Sequence, residues 1–309
     1  MTSASAPGKI ILFGEHAVVY GRPALAVPVE QVRATATVTA ADHPGIRLRS
    51  AATGDDLRLA TAPLDHPLAA IVRATLGELE ITQDPALEIT INSQLPMGAG
   101  LGSGAAVSLA IVRALAQHLG SPLSAERQSA LAFEVEKLHH GTPSGIDNTV
   151  IAYGQPVRYV GGQPVERLAV GRPFRLLIAD TGIPSSTGQA VAGVRQRWQA
   201  DPVSYEALFD TIGGLVDQAA EAIAAGQTER IGSLMDANQQ ALVAMGVSHP
   251  RLEQLIAAAR DSGAAGAKLS GAGAGGNMIA LVDDRTASAV QTGLRQAGAL
   301  GILSTEVGR

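Results

Sequence analysis

The stretch "LPMGAGLGSGAAVSLA", residues 95–110, constrains this chain more than any other. Glycine recurs at Gly98, Gly100, Gly102 and Gly104, and an alanine-rich run follows, charge-free as far as residue 110, that reads as a helix over 105–119, ended by Gly120. The segment before it, "ALEITINSQLP", alternates as a strand until Pro96 interrupts it. A glycine turn between strand and helix delivers unhindered backbone N–H groups to a helix N-terminus, where the helix dipole also favours anions. A phosphate chain is the natural occupant, and a flexible turn or a close helix-packing site is the competing reading. Two better-known phosphate loops fail here. No lysine follows these glycines as a Walker loop requires. In the dinucleotide frame from Gly98, Ser103 stands where the third glycine belongs.

A second glycine run, "LSGAGAGGNMIAL", does match G-x-G-x-x-G at Gly271, Gly273 and Gly276. It leads into an apolar segment that reads as a strand, so the fingerprint lacks its helix and is a false match. A loop joining two strands remains, either a plain hairpin connection or a place where a ligand passes close to bare backbone.

The rest of the chain reads as mixed elements. Strands are expected at "KIILFG", "VRATATVTAA" and "GIRLRS", a helix over 66–80, and a helix capped by Ser124. "GTPSGIDNTV" is expected to be a loop, broken by Gly141, Pro143 and Gly145. The second half reads strand, loop, helices at 188–198, 203–225, 228–245 and 250–262, strand, glycine loop, strand, helix and a final strand. That order predicts an α+β fold with two domains, divided near "VGGQPVERLAVGRP" into 1–170 and 171–309.

Composition narrows the partners. A net charge of -5 argues against a nucleic-acid surface, and no apolar run reaches the length of a membrane span. The expectation is a soluble, cytoplasmic protein acting on a small molecule. With no cysteine, disulfides and thiolate metal sites are excluded, and His139-His140 lack the partners a zinc site needs. Of 23 basic residues only Lys9, Lys137 and Lys268 are lysine. Arginine fills the surface role, so each lysine carries more functional weight than usual, and each lies beside a glycine-rich or histidine-containing segment. Lys9 precedes an apolar strand that ends at Glu15-His16, and Glu136 lies eleven residues before Asp147. Phosphoryl transfer would use a phosphate cradle, a Mg²⁺ ligand, a cation and a carboxylate to orient or deprotonate an acceptor hydroxyl. Each has a candidate here.

The segments "APGKIILFGEHAVVYG", "LPMGAGLGSGAA" and "KLSGAGAGGNMIAL" resemble, in order, the three signature motifs of the GHMP small-molecule kinases. Within that superfamily "GEHAVVYGRPALAVP", "HHGTPSGIDNTV", "IPSSTGQAVAGVRQRW" and "NQQALVAMGVSHPRLEQL" are most similar to the mevalonate kinases. The resemblance implies a two-domain α+β fold with the active site in the interdomain cleft, ATP as co-substrate, Mg²⁺ as cofactor and mevalonate as acceptor. It makes Asp147 the carboxylate that takes or orients the proton of the C5 hydroxyl. Lys9 would lie beside it, lowering the hydroxyl pKa and steadying the transferred group. Pro96, Gly98, Ala99, Gly100, Leu101, Gly102, Ser103 and Gly104 would wrap the ATP phosphates, with Gly271 and Gly273 on the far wall. Glu15, His16, Ser144 and Thr187 would fall near the acceptor, and Glu136 would bind Mg²⁺. A homodimer is in keeping with the family. One departure stands out: where the family carries a second serine that helps hold Mg²⁺, this chain has Gly104, which leaves Ser103, a water or Glu136 to fill that role. The alternatives are a related kinase acting on another alcohol, a mevalonate 3-kinase or decarboxylase relative, and an ATP-binding relative of weak activity.

Overall fold

The computed structural model describes residues 1–96, 100–140 and 143–308, and of His139 and His140 the backbone alone. The chain is α+β and divides into two compact units, one of residues 1–8, 32–96 and 102–154, the other of 9–31, 97–101 and 155–309.

In the first unit, β1 (Thr2–Phe13) contributes its opening residues and β2 (Ala24–Ala40) its second half. β3 (Ile46–Ser50), β4 (Asp55–Arg58), α1 (Pro67–Glu78) and β5 (Leu87–Ser93) follow. The strands order as β4-β3-β5-β2, with β3 parallel to β5 and the other two pairs antiparallel. Val32, Ala34, Ala36 and Val38 on β2 and Leu87, Ile89 and Ile91 on β5 are buried, with less buried residues between them, as a period of two requires. β2 is longer than "VRATATVTAA" predicted, because it also takes in "ALAVPVE". Pro28 lies between the β6 register (Ala24–Ala26) and the β5 register (Ala34–Ala40), on a strand that also pairs with β1. α2 (Ser103–His118) is buried around most of its circumference and packs on α1, α3 (Ala125–His140), α4 (Ile146–Tyr153) and β5. α4 corrects the loop expected at "GTPSGIDNTV". Gly145, left-handed at φ 81, ends the break and starts a helix that already contains Asp147.

The second unit holds β6 (Val157–Tyr159), which pairs with Ala24–Ala26, and β7 (Glu166–Arg167). It continues with β8 (Phe174–Asp180), α5 (Thr187–Ala200), α6 (Pro202–Ala224), α7 (Thr228–Ala244) and α8 (Pro250–Asp261). β9 (Gly266–Ser270), β10 (Asn277–Val282), α9 (Ala287–Gln296) and β11 (Gly301–Val307) complete it. Its antiparallel sheet orders β11-β8-β10-β9, and β9 and β10 are buried along their whole lengths. Phe209, Ile212, Leu242, Met245, Leu252, Ile256, Leu269 and Met278 form its core. Among the described residues no helix is long and apolar enough to cross a membrane.

Candidate active site

In the second unit the apolar run Ile10–Phe13 buries β1 and draws Lys9 in with it, leaving the lysine 4% exposed. The Lys9 backbone N–H donates to the Leu101 carbonyl at 3.0 Å, so lysine and glycine stretch meet. Past Phe13 the chain must turn against β2. Gly14 has φ +97, and a Cβ there would lie 2.5 Å from the Ala24 Cα, so only glycine passes. Glu15 and His16 follow, both buried. His16 has φ 60 and ψ -48, and the Ala17 N–H donates to the Glu15 carbonyl at 2.6 Å. This is a γ-turn in its rare positive-φ form, a conformation that costs a non-glycine residue about 1–3 kcal/mol.

The side chains around this turn are bonded on both sides. Glu15 Oε1 accepts from the ammonium of Lys268 on β9, and Oε2 accepts from Asn238 Nδ2 on α7 at 3.3 Å. Lys268 is fully buried and also donates to the Leu269 carbonyl at 2.6 Å. Burial pulls its pKa down, and Glu15 opposes the pull. His16 Nε2 lies 2.9 Å from the Ala272 carbonyl. Burial first, and Arg197 further, lower the imidazole pKa to about 4 against that hydrogen bond. The ring is therefore neutral at pH 7. Because a carbonyl only accepts, the proton is assigned to Nε2, which leaves Nδ1 as an acceptor.

The loop carrying Ala272 joins β9 and β10 as a hairpin. Gly273, at φ +73, leaves no room for a Cβ, which would come 2.0 Å from the Val247 carbonyl oxygen. The Ser185 hydroxyl donates to the Gly273 carbonyl at 2.6 Å and Thr181 to that of Gly276 at 2.7 Å. This glycine is thus required by protein backbone. Gly271, by contrast, has open space where a Cβ would sit. Thr187 is the exposed first residue of α5, just beyond the tethered segment 181–185.

The other predicted residues belong to the glycine stretch and to α2, α3 and α4 with the turn before it. Gly102, left-handed at φ 71, is the N-cap of α2 and offers no capping side chain, and no acidic residue occupies the first turn. The first intrahelical bond runs from the Ala106 N–H to the Gly102 carbonyl at 2.9 Å, so the N–H groups of Ser103, Gly104 and Ala105 precede it. Pro96, Gly100 and Gly104 are exposed, Leu101 is buried and Ser103 half-buried. Gly98 and Ala99 lie outside the described residues, as do the rings of His139 and His140.

Asp147, partly buried, stands in the first turn of α4. Its helix is fixed at both ends. Ser144 Oγ accepts from the Ile146 N–H at 3.4 Å, Thr149 Oγ1 donates to the Gly145 carbonyl at 2.6 Å, and Asn148 Nδ2 donates to Ser129 Oγ on α3 at 2.8 Å. Arg113 of α2 donates to the carbonyls of Ile151 and Ala152, both at 2.9 Å. Glu136, half-buried, lies near the end of α3. Carboxylate and hydroxyl oxygens such as those of Glu136 and Ser103 are hard donors of the kind that suit Mg²⁺. No group of three or more His, Cys, Asp or Glu that could hold a metal ion occurs among the described residues.

Lys137, weighted as functional by its rarity, is instead a surface residue, 2.6 Å from Glu134 and over the Phe133 ring at 4.6 Å. Lys268 and Asn238 were not among the predicted site residues. The scarcity of lysine and the position of Lys268 at the mouth of a glycine motif were the only signals for it. Asn238 opens the segment "NQQALVAMGVSHPRLEQL", whose resemblance to the family assigned that residue no role.

The GHMP kinases N terminal domain model matches residues 68–155, and the GHMP kinases C terminal model matches 219–300. The mevalonate kinase of Pyrococcus horikoshii is 37% identical over 97% of this chain and 94% of its own length. That of Methanothermobacter thermautotrophicus is 35% identical over 92% of each. The crystal structure of L. major mevalonate kinase in complex with R-mevalonate matches with TM-score 0.83 at 30% identity, covering 99% of this chain and 96% of that one. The Streptococcus pneumoniae phosphomevalonate kinase shares the fold at 19% identity, with TM-score 0.84 and 99% and 100% coverage. This chain belongs to the mevalonate kinases of the GHMP kinase family.

Proposed function

We infer that this chain transfers the γ-phosphoryl group of ATP to the C5 hydroxyl of mevalonate, giving 5-phosphomevalonate and ADP in isoprenoid synthesis. The observation that carries the reading is β1 and its turn. The strand that bonds Lys9 to the end of the glycine stretch leads directly to the buried Glu15-His16 pair. The L. major relative is described with R-mevalonate bound.

In the proposed mechanism the backbone from Pro96 to Gly104, with the open first turn of α2, holds the phosphates, and Gly271 and Gly273 line the opposite side. Glu15, His16, Ser144 and Thr187 orient the acceptor, with neutral His16 presenting Nδ1 as a hydrogen-bond acceptor. Asp147 accepts or orients the C5 hydroxyl proton, and Lys9 offsets the charge that builds on the transferred group. Glu136 and Ser103 would hold Mg²⁺, which when bound supplies charge neutralisation to the phosphates. The approach of Lys9 and Asp147, which lie in different units, is part of the proposal. So are the domain division at 170/171, a cytoplasmic homodimer, and the exclusion of nucleic acid and membrane as partners. Sedimentation of the purified chain tests the dimer.

The decisive experiment is a coupled ADP-release assay with mevalonate. Asp147→Asn should lower kcat by at least about 10²-fold, the lower range for loss of a general acid–base group. An unchanged rate would remove Asp147 from that role. Because phosphomevalonate kinase shares this fold, an acceptor panel with phosphorus NMR of the product fixes both substrate and position.

A further inference from the structure

A lysine with no solvent exposure is expensive to keep, and this chain keeps one of only three there. Lys268 meets one oxygen of the Glu15 carboxylate, while Asn238 Nδ2 meets the other at 3.3 Å. The neighbouring Gln239 Oε1 accepts from the Leu269 N–H at 2.8 Å, binding α7 to β9. Directly after Glu15 comes the positive-φ turn at His16, whose ring is bonded to Ala272 at 2.9 Å. One five-residue segment, Lys268–Ala272, therefore grips the strained turn twice, through the side chain before it and through the side chain at its centre. Strained backbone persists only where its surroundings over-determine it, and two grips from one segment meet that requirement.

We propose that Lys268 is a positioning residue for phosphoryl transfer: by holding the Glu15 carboxylate it keeps the Glu15-His16 turn in the geometry that receives the acceptor. The proposal rests on the reading of Glu15 and His16 as acceptor-pocket groups. It separates acceptor binding from nucleotide binding at the side chain that is changed: the Lys268 ammonium meets Glu15 and the Leu269 carbonyl, whereas the phosphates are assigned to the 96–104 backbone and to Gly271 and Gly273.

A double-mutant cycle tests it, with initial-rate kinetics on the full chain varying mevalonate and ATP separately. Lys268→Met should raise the mevalonate KM at least tenfold and leave the ATP KM within twofold. In the Glu15→Gln background the same substitution should change the mevalonate KM less than twofold, since the group it acts through is already neutral. Where Lys268→Met alone does not fold, Glu15→Gln and Glu15→Gln/Lys268→Met should still share one mevalonate KM. Equal rises in both KM values, or an undiminished effect in the Glu15→Gln background, would overturn the proposal by making the role general to the fold. A spectroscopic readout runs beside the kinetics. Nitrogen-15 shifts of His16 should report an Nε2–H tautomer in the wild type and a tautomer mixture in Lys268→Met or, where only it folds, in the double variant. An unchanged tautomer would also count against the clamp. If the wild type does not phosphorylate mevalonate, the functional reading fails, and the tautomer measurement still decides whether Lys268 holds the turn.

Discussion

His16 shows how much one residue's surroundings change its chemistry. An imidazole titrates near 6.5 in an unfolded chain, whereas burial holds this one at about 4. Between those values the unfolded chain binds a proton that the folded chain refuses, so stability falls as pH drops from 6.5 towards 4, by up to about 3 kcal/mol. The expected outcome is that His16→Gln loses less stability than the wild type between pH 7 and pH 4.5 in urea unfolding. Equal losses would show that the ring is not held neutral. Little of this was legible in the sequence. "GEH" identifies a pair of polar residues, but their burial depends on Lys268 and Ala272, more than 250 positions away. Long-range pairing leaves no local pattern to read, whereas the alternation of β5 or the cap at Ser124 does.

At the scale of elements, the two glycine stretches differ in what their glycines are required for. Gly273 faces the Val247 carbonyl, so Gly273→Ala combines a clash with an unfavourable φ and should destabilise by more than about 2 kcal/mol in urea unfolding. Gly104 has open space where a Cβ would sit, so Gly104→Ser is expected to fold normally and to gain about 0.5 kcal/mol of helix propensity. With the hydroxyl that the family's second serine contributes to Mg²⁺ restored, the variant should also reach half its maximal rate at a lower Mg²⁺ concentration. The elements themselves were largely readable, because period two and period 3.6 are local properties. α4 was missed because glycines and a proline just before it dominate the reading, although Gly145 begins the helix that the others break. That miss moved Asp147 from a loop to a helix secured by Asn148, Thr149 and Arg113.

Across the whole molecule, the α+β class and the family were legible because three motifs and the element order recur over most of the chain. The division into units was not reducible to one cut, since β1 and β2 contribute to both. The ion pairs differ sharply in setting. Arg47–Asp56, Arg127–Glu78 and Arg158–Asp217 are part-exposed, and such pairs contribute about 0–1 kcal/mol each and are screened by salt. Glu15–Lys268 is sealed from solvent. Raising NaCl from about 0.1 to 1 M should therefore move Tm by only a few degrees while the mevalonate KM stays within about twofold. A large rise in that KM would place the pair within reach of solvent ions.

The burial of two of the three lysines has a practical side. Lys268 is sealed and Lys9 nearly so, which leaves Lys137 as the lysine open to an amine-directed fluorophore. A dye attached there would ride on α3 one residue beyond Glu136, and with the exposed α-amine of Met1 blocked first it becomes a single optical reporter of what that helix does when nucleotide arrives.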